Sequence, residues 1–281
     1  MNRQNDSTLP VSGRIAAITP MTADTRYYRI ERLYRTASWG TFTPGQFFQI
    51  SIPGGGEFPA TPTCIPQKNG ALEFCVRNVG HVTAMLQAAD VGDQVGIRGP
   101  FGTGFPVFEM RDRDILLLAG GLGIAPLHSL LAHLLEHRSD YGDITLMYGA
   151  REPGQILFRE ELAQLACRQD IRIMLTVDFL TENLPGELTC NVGLLPALLK
   201  GVQFQPANTY VAVCGPPPLY RCLVEELAAA GFPDRQILFS LERRMQCGTG
   251  RCSHCAIGLH LCCMDGPVFR WQTLRQIEGA L

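Results

Sequence analysis

No run of apolar residues in this sequence is long enough to span a bilayer. The opening stretch, MNRQNDSTLPVSG, is polar and lacks the apolar core of a signal peptide. No charge of one sign dominates: a formal net charge of −2 gives no electrostatic reason to expect nucleic acid. There is no internal repeat, no low-complexity segment, and no serine, histidine and acid set that suggests hydrolysis. What is present is 281 residues, 46% apolar and 18% charged, which predicts about two domains plus a small module around a sizeable core. Eleven cysteines, an odd count on a chain without an export signal, argue for reduced thiols and a cytoplasmic location.

The cysteines are not evenly spread. Cys247-Gly-Thr-Gly-Arg-Cys252-Ser-His-Cys255 is spaced C-x4-C-x2-C, and Cys263-Met-Asp265-Gly266-Pro267 follows. This is the close-set part of the plant-type [2Fe-2S] ligand pattern with a further cysteine downstream. Two bridged irons need four converging thiolates, and one tight loop can deliver three of them only without crowding side chains. Gly248 and Gly250 meet that need. A structural zinc site favours paired C-x2-C units, so the C-x4-C step fits it poorly. His254, inside the loop, reads as a neighbour of the site or a solvated side chain.

From about Gly13 to Val107, short strands alternate with turn clusters. The strands include Gly45 to Ile52, Ala71 to Arg77 and Asp93 to Arg98, and the turns include Pro53 to Gly56 and Lys68-Asn69-Gly70. This spacing predicts a small closed β-barrel, with a short helix over His81 to Ala88. After Val107 the period changes. Continuous apolar strands (Asp114 to Ala119, Asp143 to Tyr148, Ile171 to Val177, Thr209 to Cys214) alternate with helical stretches, which predicts an α/β domain with a parallel sheet covered on both faces. The strand Gln236 to Leu241 then leads into the cysteine loop. The predicted domains are 13–108, 109–235 and 236–281.

Ala119-Gly-Gly-Leu-Gly-Ile-Ala-Pro126 joins a buried strand to a helix N-terminus, where backbone N–H groups favour an anion. It departs from the Rossmann fingerprint, because Pro126 stands where the third glycine belongs. Cys214-Gly215-Pro-Pro-Pro218 is a second strand-end motif, and ligands of open α/β sheets bind beyond those ends. In the barrel, Arg77-Asn-Val-Gly80-His-Val82-Thr83 sets an arginine beside a glycine at a helix start, an arrangement suited to a diphosphate. Gly99-Pro-Phe-Gly102 is a turn with room for a flat ligand. The alternatives are ordinary ones: a solvated arginine, a tight turn, a buried core thiol at Cys214, and an exposed face carrying His133 and His137.

These motifs together, with Pro44-Gly45-Gln46-Phe47 and Tyr148-Gly-Ala-Arg151, resemble the ferredoxin–NADP reductase superfamily. Ser240-Leu-Glu-Arg-Arg-Met-Gln-Cys247 and Cys263-Met-Asp-Gly-Pro-Val-Phe269 narrow the resemblance to the gamma subunits of soluble NiFe hydrogenases or sulfhydrogenases and to the similar electron-transfer subunit of anaerobic sulfite reductase. The dihydroorotate dehydrogenase electron-transfer subunit is a more distant relative. The resemblance implies FAD in the barrel, with Pro59, Ala60 and Thr61 at the flavin edge, Arg77, Val82 and Thr83 at the diphosphate, and Gly99 to Gly102 nearby. It implies NAD(P)H at Gly120, Gly121, Gly123 and Pro126, with Arg151 a candidate for a 2′-phosphate and Cys214, as catalytic residue, and Gly215 near the nicotinamide. Cys247, Cys252, Cys255 and Cys263 would hold [2Fe-2S]. The superfamily's Arg-x-Tyr-Ser/Thr flavin motif is absent; Pro59-Ala-Thr-Pro62 takes its place, and Pro62 removes a backbone donor there. Adjacent cysteines in an extended segment point to opposite sides, so only one of Cys262 and Cys263 is expected to face the cluster. The family motif selects Cys263.

The function so implied is a cytoplasmic oxidoreductase subunit passing electrons between NAD(P)H, FAD and a [2Fe-2S] cluster and a catalytic partner, foremost a NiFe hydrogenase. Sulfite reductase, dihydroorotate dehydrogenase, a self-sufficient oxygenase reductase and a zinc-stapled interaction module are the rivals. Leu259, Leu261, Val268, Phe269 and Trp271 are candidates for a partner interface, or for packing on the flavin domain.

Overall fold

The computed structural model describes residues 9–34, 38–64, 70–181 and 188–281. Lys68 and Asn69 of one expected turn lie outside the described residues. The chain divides into two compact units, residues 1–104 with 242–267, and residues 105–241 with 268–281.

In the first unit, β1 (Val11–Pro20), β2 (Thr25–Arg32), β3 (Phe47–Ile52), β4 (Gly56–Ala60), β5 (Leu72–Arg77) and β6 (Gln94–Phe101) form one sheet, with helix α1 (His81–Gln87) between β5 and β6. The order is β4-β3-β6-β1-β2-β5, every pairing antiparallel. The two edges meet through the bridge Pro62↔Phe74, with Thr63 N–H donating to the Glu73 carbonyl at 2.8 Å. That contact brings the two ends of the sheet together and gives it the barrel-like form that the strand pattern predicts. Inward residues of each strand build the core: Ile15, Tyr28, Ile30, Phe48, Ile50, Leu72, Phe74 and Ile97. A buried side chain of this kind contributes about 1.5–3 kcal/mol. Helix α1 covers one end of the core. The Tyr28 hydroxyl donates to the Leu86 carbonyl (3.2 Å) and Arg26 Nη1 to the Gln87 carbonyl (2.7 Å), satisfying acceptors that the helix end leaves open.

In the second unit, β7 (Asp114–Gly120), β8 (Ile144–Ala150), β9 (Arg172–Val177), β10 (Cys190–Val192), β11 (Thr209–Cys214) and β12 (Ile237–Ser240) alternate with α2 (Ile124–Glu136), α3 (Arg159–Ala166), α4 (Leu195–Leu199) and α5 (Pro217–Ala229). The cysteine segment adds the short hairpin β13 (Ala256–Ile257) and β14 (His260–Leu261) to the first unit, and β15 (Val268–Arg270) and α6 (Trp271–Leu274) return to the second. The sheet order is β10-β9-β8-β7-β11-β12-β15, parallel except for β15. Residues Ile115 to Gly120 of β7 and all of β11 are buried, as strands covered on both faces must be. Residues 236–281 are thus divided: β12 and 268–281 belong to the parallel-sheet unit, and 242–267 to the barrel unit. No helix among the described residues is long and apolar enough to cross a membrane.

Candidate functional site

The cysteine loop is built by backbone that points N–H groups at sulfur. Cys247 Sγ accepts from Thr249 N (3.4 Å) and Arg251 N (3.3 Å). Burial pushes the Cys247 thiol up, but the N–H groups of Thr249, Cys252 and Arg251 and the Cys252 side chain outweigh it and hold its pKa at about 6. The thiolate is the form that ligates metal. Cys263 lies beside Cys255, with the Gly250 N–H donating to it; burial first, and then the Cys255 thiol, push it up to about 12. Among the described residues no three such side chains meet at a point suited to a single metal ion. Cys247 neighbours Cys252, and Cys263 neighbours both Cys255 and Cys247. Four soft thiol donors on one short segment are the donor set of an iron–sulfur cluster. Gly248 has φ +74°, and a Cβ there would come within 2.9 Å of the Phe101 ring, so only glycine lets the loop lie this close to β6.

Cys262 and Cys263 are not in an extended segment, contrary to the expectation from sequence. Residues 262–265 form a turn, with Met264 N–H and Asp265 N–H both donating to the Leu261 carbonyl at 2.8 Å. Cys262 is fully buried, its thiol pushed up to about 12 chiefly by burial.

In the barrel, Pro59 and Ala60 pair with Gln49 and Phe48, and with Thr61 they stay half-buried at the end of β4. Arg77 is exposed at the end of β5. Burial tends to raise the nearby Asp24 carboxyl, but the Thr25 and Thr22 hydroxyls and the Arg77 guanidinium hold it below the usual range. A Cβ on Gly80 would meet nothing within 4 Å, so space is open at the start of α1. Val82 is half-buried. The buried Thr83 caps α1: its Oγ1 accepts from Val79 N and Gly80 N at 3.0 Å and donates to the Gly80 carbonyl. The Gly99–Gly102 turn is tied to the cysteine segment. Gly102 abuts the Gly266 carbonyl, Thr103 Oγ1 donates to the Asp265 carbonyl (2.8 Å), and Gln46 Nε2 donates to the Gly102 carbonyl (2.6 Å).

In the parallel-sheet unit, the structure brings the two strand-end motifs together. A Cβ on Gly123 would sit 2.2 Å from the Cys214 carbonyl oxygen and 2.6 Å from Gly215 N, while one on Gly121 would meet nothing within 4 Å. Gly120 packs against Pro216 and Leu219, and Pro126 lies in the first turn of α2. Cys214 is 1% exposed. Tyr220 fixes the second motif, its hydroxyl accepting from Gly215 N (3.1 Å) and donating to the Ser240 carbonyl (2.7 Å). Arg151 is exposed just beyond β8, its carbonyl accepting from Phe179 N at 3.1 Å. A separate cavity of about 520 Å³, lined in part by Asp114, Asp143, Arg172 and Thr209, opens at the opposite, amino ends of these strands and takes no part in the site.

Sequence reasoning missed Gln49 and Arg98, which reach the cysteine loop from the barrel, and Glu57, which pairs with Arg98. The available signal was a glutamine inside the otherwise apolar Phe47-Phe48-Gln49-Ile50. Of the apolar residues considered for a partner interface, Val268 and Phe269 are buried in β15 and Trp271 packs edge-on against Phe239 (centroids 5.9 Å apart). They are packing residues, but of the parallel-sheet unit and not of the flavin domain, because β15 pairs with β12. Leu259 is 100% exposed at the tip of the β13–β14 hairpin, and Met264 is exposed beside it in sequence.

Three family models match in order along the chain: an oxidoreductase FAD-binding domain over residues 12–105, an oxidoreductase NAD-binding domain over 117–225, and the iron–sulfur cluster binding domain of dihydroorotate dehydrogenase B over 242–275. Sulfhydrogenase 1 subunit gamma of Pyrococcus furiosus is 38% identical over 90% of this chain and 87% of its own. Sulfhydrogenase 2 subunit gamma of the same organism is 37% identical over 86% and 87%. A probable dihydroorotate dehydrogenase B (NAD(+)) electron transfer subunit of Pyrococcus abyssi is 33% identical over 84% and 83%. Among solved structures, an NADH-dependent reduced ferredoxin–NADP oxidoreductase has the same fold, with a TM-score of 0.72 at 23% identity over 94% of this chain and 91% of that one. The likeness runs through barrel, parallel sheet and cysteine segment alike, and this chain, which has the fold of the ferredoxin–NADP oxidoreductases, belongs to the family of the sulfhydrogenase gamma subunits, an oxidoreductase subunit that binds FAD, NAD(P)H and an iron–sulfur cluster.

Proposed function

We propose that the chain is the NAD(P)H-oxidising or NAD(P)⁺-reducing subunit of a cytoplasmic hydrogenase complex. The observation that carries this reading is its 38% identity to a sulfhydrogenase gamma subunit over nearly the whole of both chains. When bound, FAD exchanges hydride with NAD(P)H and single electrons with a [2Fe-2S] cluster, so the three groups link a two-electron carrier to a one-electron exit. The protein's part is placement. Arg77 and the open backbone at Gly80 hold the flavin diphosphate, with Val82 and Thr83 shaping that end of the site through α1. Pro59, Ala60 and Thr61 border the flavin, with Gly99 and Gly102 nearby. Gly120, Gly121, Gly123 and Pro126 receive the nicotinamide nucleotide, and Cys214 and Gly215 stand at the nicotinamide end. Cys247, Cys252, Cys255 and Cys263 ligate the cluster.

No group in these assignments acts on hydrogen, sulfite or another terminal substrate, so the partner must supply that chemistry. The chain alone is expected to pass electrons from NAD(P)H to viologen dyes. It is expected to make no hydrogen and reduce no sulfite until a catalytic subunit is added; turnover of either by the rigorously purified chain would overturn the proposal. Leu259 and Met264, exposed close to the ligands in sequence, are candidate contacts with that partner. A dihydroorotate dehydrogenase partner is the second reading, supported by the match to that enzyme's iron–sulfur domain. Identifying the subunit that copurifies with the native chain decides between them.

Arg151, whose exposed side chain has no ion pair among the described residues, is a candidate for contact with a 2′-phosphate; the alternative is that it caps the loop after β8 and has no part in nucleotide choice. In NADP-binding sites an arginine can accommodate the 2′-phosphate. Arg151→Ala is expected to raise KM for NADPH and leave KM for NADH unchanged. Unchanged discrimination between the two nucleotides would remove Arg151 from the site.

A further inference from the structure

The barrel reaches the cysteine loop with two neighbouring polar side chains. Gln49 on β3 and Arg98 on β6 are cross-strand partners. Gln49 is fully buried, and its Nε2 donates to the Met245 carbonyl at 2.9 Å. Arg98 is 9% exposed, and its Nη1 donates to the Cys247 carbonyl at 3.2 Å. Carbonyls two residues apart are thus held from one patch of the sheet. Arg98 directs its other nitrogens to Glu57 of β4, Nε to Oε1 at 3.0 Å and Nη2 to Oε2 at 2.6 Å, and its guanidinium carbon lies 5.5 Å from the centroid of the Phe101 ring. Phe101 is the ring against which Gly248 packs. A buried guanidinium costs a great deal unless paired, and the fork-to-fork carboxylate supplies the pair. The buried Gln49 Oε1 atom has no hydrogen-bond partner among the described residues, whereas Nε2 of the same amide holds the loop carbonyl.

We propose that Arg98 is a positioning residue that fixes the Cys247 end of the cluster loop to the flavin barrel, and that Glu57 balances its charge so that the cluster sits beside a neutral pair. The inference rests on the reading that Cys247 is a cluster ligand. Its electrostatic consequence has a definite sign. Reduction adds one negative charge to a cluster, so a nearby unpaired cation favours the reduced form and a nearby unpaired anion opposes it. Removing either member of the pair exposes the other.

The test compares wild type, Glu57→Gln, Arg98→Met and the double variant, each purified anaerobically with iron, sulfide and FAD quantified. Cluster midpoint potential and the electron paramagnetic resonance spectrum of the reduced cluster are the readouts. Glu57→Gln is expected to move the midpoint to higher potential, Arg98→Met to lower potential, and the double variant to lie between them. If Arg98→Met does not retain its cluster, Arg98→Lys is measured instead. It keeps the charge and loses the fork, and is expected to change the spectrum with little change in midpoint. Shifts of the same sign in Glu57→Gln and Arg98→Met, or none in any variant with full iron and sulfide, would overturn the proposal. Zinc in place of iron and sulfide in the wild-type protein would instead overturn the reading of the cysteines on which it rests.

Discussion

Replacing Cys263 with alanine is expected to strip the chain of its iron and sulfide, while Cys262→Ala should keep both. The two cysteines are adjacent and almost fully buried, so exposure does not separate them. Their neighbours do. Cys263 lies beside Cys255, feels Cys247, and receives the Gly250 N–H. It therefore faces the other sulfurs and the Gly250 N–H, the one contact that opposes the upward push of burial and of the neighbouring thiols. Cys262 feels Cys255, Cys263 and Arg243, and its N–H donates to the Cys255 carbonyl at 3.1 Å. Its thiol fills the core beneath the turn. Removing it leaves a hole about the size of one buried methylene, a cost of about 1 kcal/mol. In the proposed ligand set, removing Cys263 deletes one of the four thiolates by which a [2Fe-2S] cluster is held. Iron and sulfide analysis with the visible spectrum checks both variants, and the reverse result would mean that the ligand register is off by one.

Gly123→Ala is expected to unfold or badly distort the parallel-sheet unit, and the reason is space rather than conformation. Gly123 has φ −60° and ψ −12°, values that suit alanine well. By conformation alone the change would be mildly stabilising. The new Cβ, however, would lie 2.2, 2.4 and 2.6 Å from backbone atoms of Cys214 and Gly215. Backbone atoms at the end of a central strand cannot swing aside, because Cys214 is held by β7 through its pairing with Ala119 and Gly215 by the Tyr220 hydroxyl. Overpacking of this kind costs about 3 kcal/mol or more, which lowers the melting temperature of a domain this size by roughly 6–12 °C. Flavin reduction by NAD(P)H should fall with it, while FAD and iron content hold, since neither belongs to this unit. Gly121 is the control. It has φ +53° with open space around it, so Gly121→Asn, a residue that tolerates the left-handed region, should change stability little. Equal melting temperatures for Gly123→Ala and wild type would show that the strand ends can part.

Much of the architecture is a local property of the chain and could be read from it. The buried strands Asp114 to Gly120 and Thr209 to Cys214 announce themselves as unbroken apolar runs, because both of their faces are covered. The short barrel strands and the helix at His81 are likewise marked by their flanking turns. The cysteine spacing and its glycines carry the cysteine loop, since three of the four proposed ligands come from nine consecutive residues.

The tertiary structure decided what depends on distant pairings. Ser240 and Val268 are cross-strand partners, so β15 joins the parallel sheet although the cysteine loop between them belongs with the barrel. An apolar segment such as Val268-Phe269 declares that it will be buried, but not against which sheet. Arg98 meets Glu57 across 41 residues and the Cys247 carbonyl across 149. Periodicity reports which side of a strand is dry; it contains no information about which remote carbonyl a buried polar group will find there, because that is settled only when the strands and the loop have closed around one another.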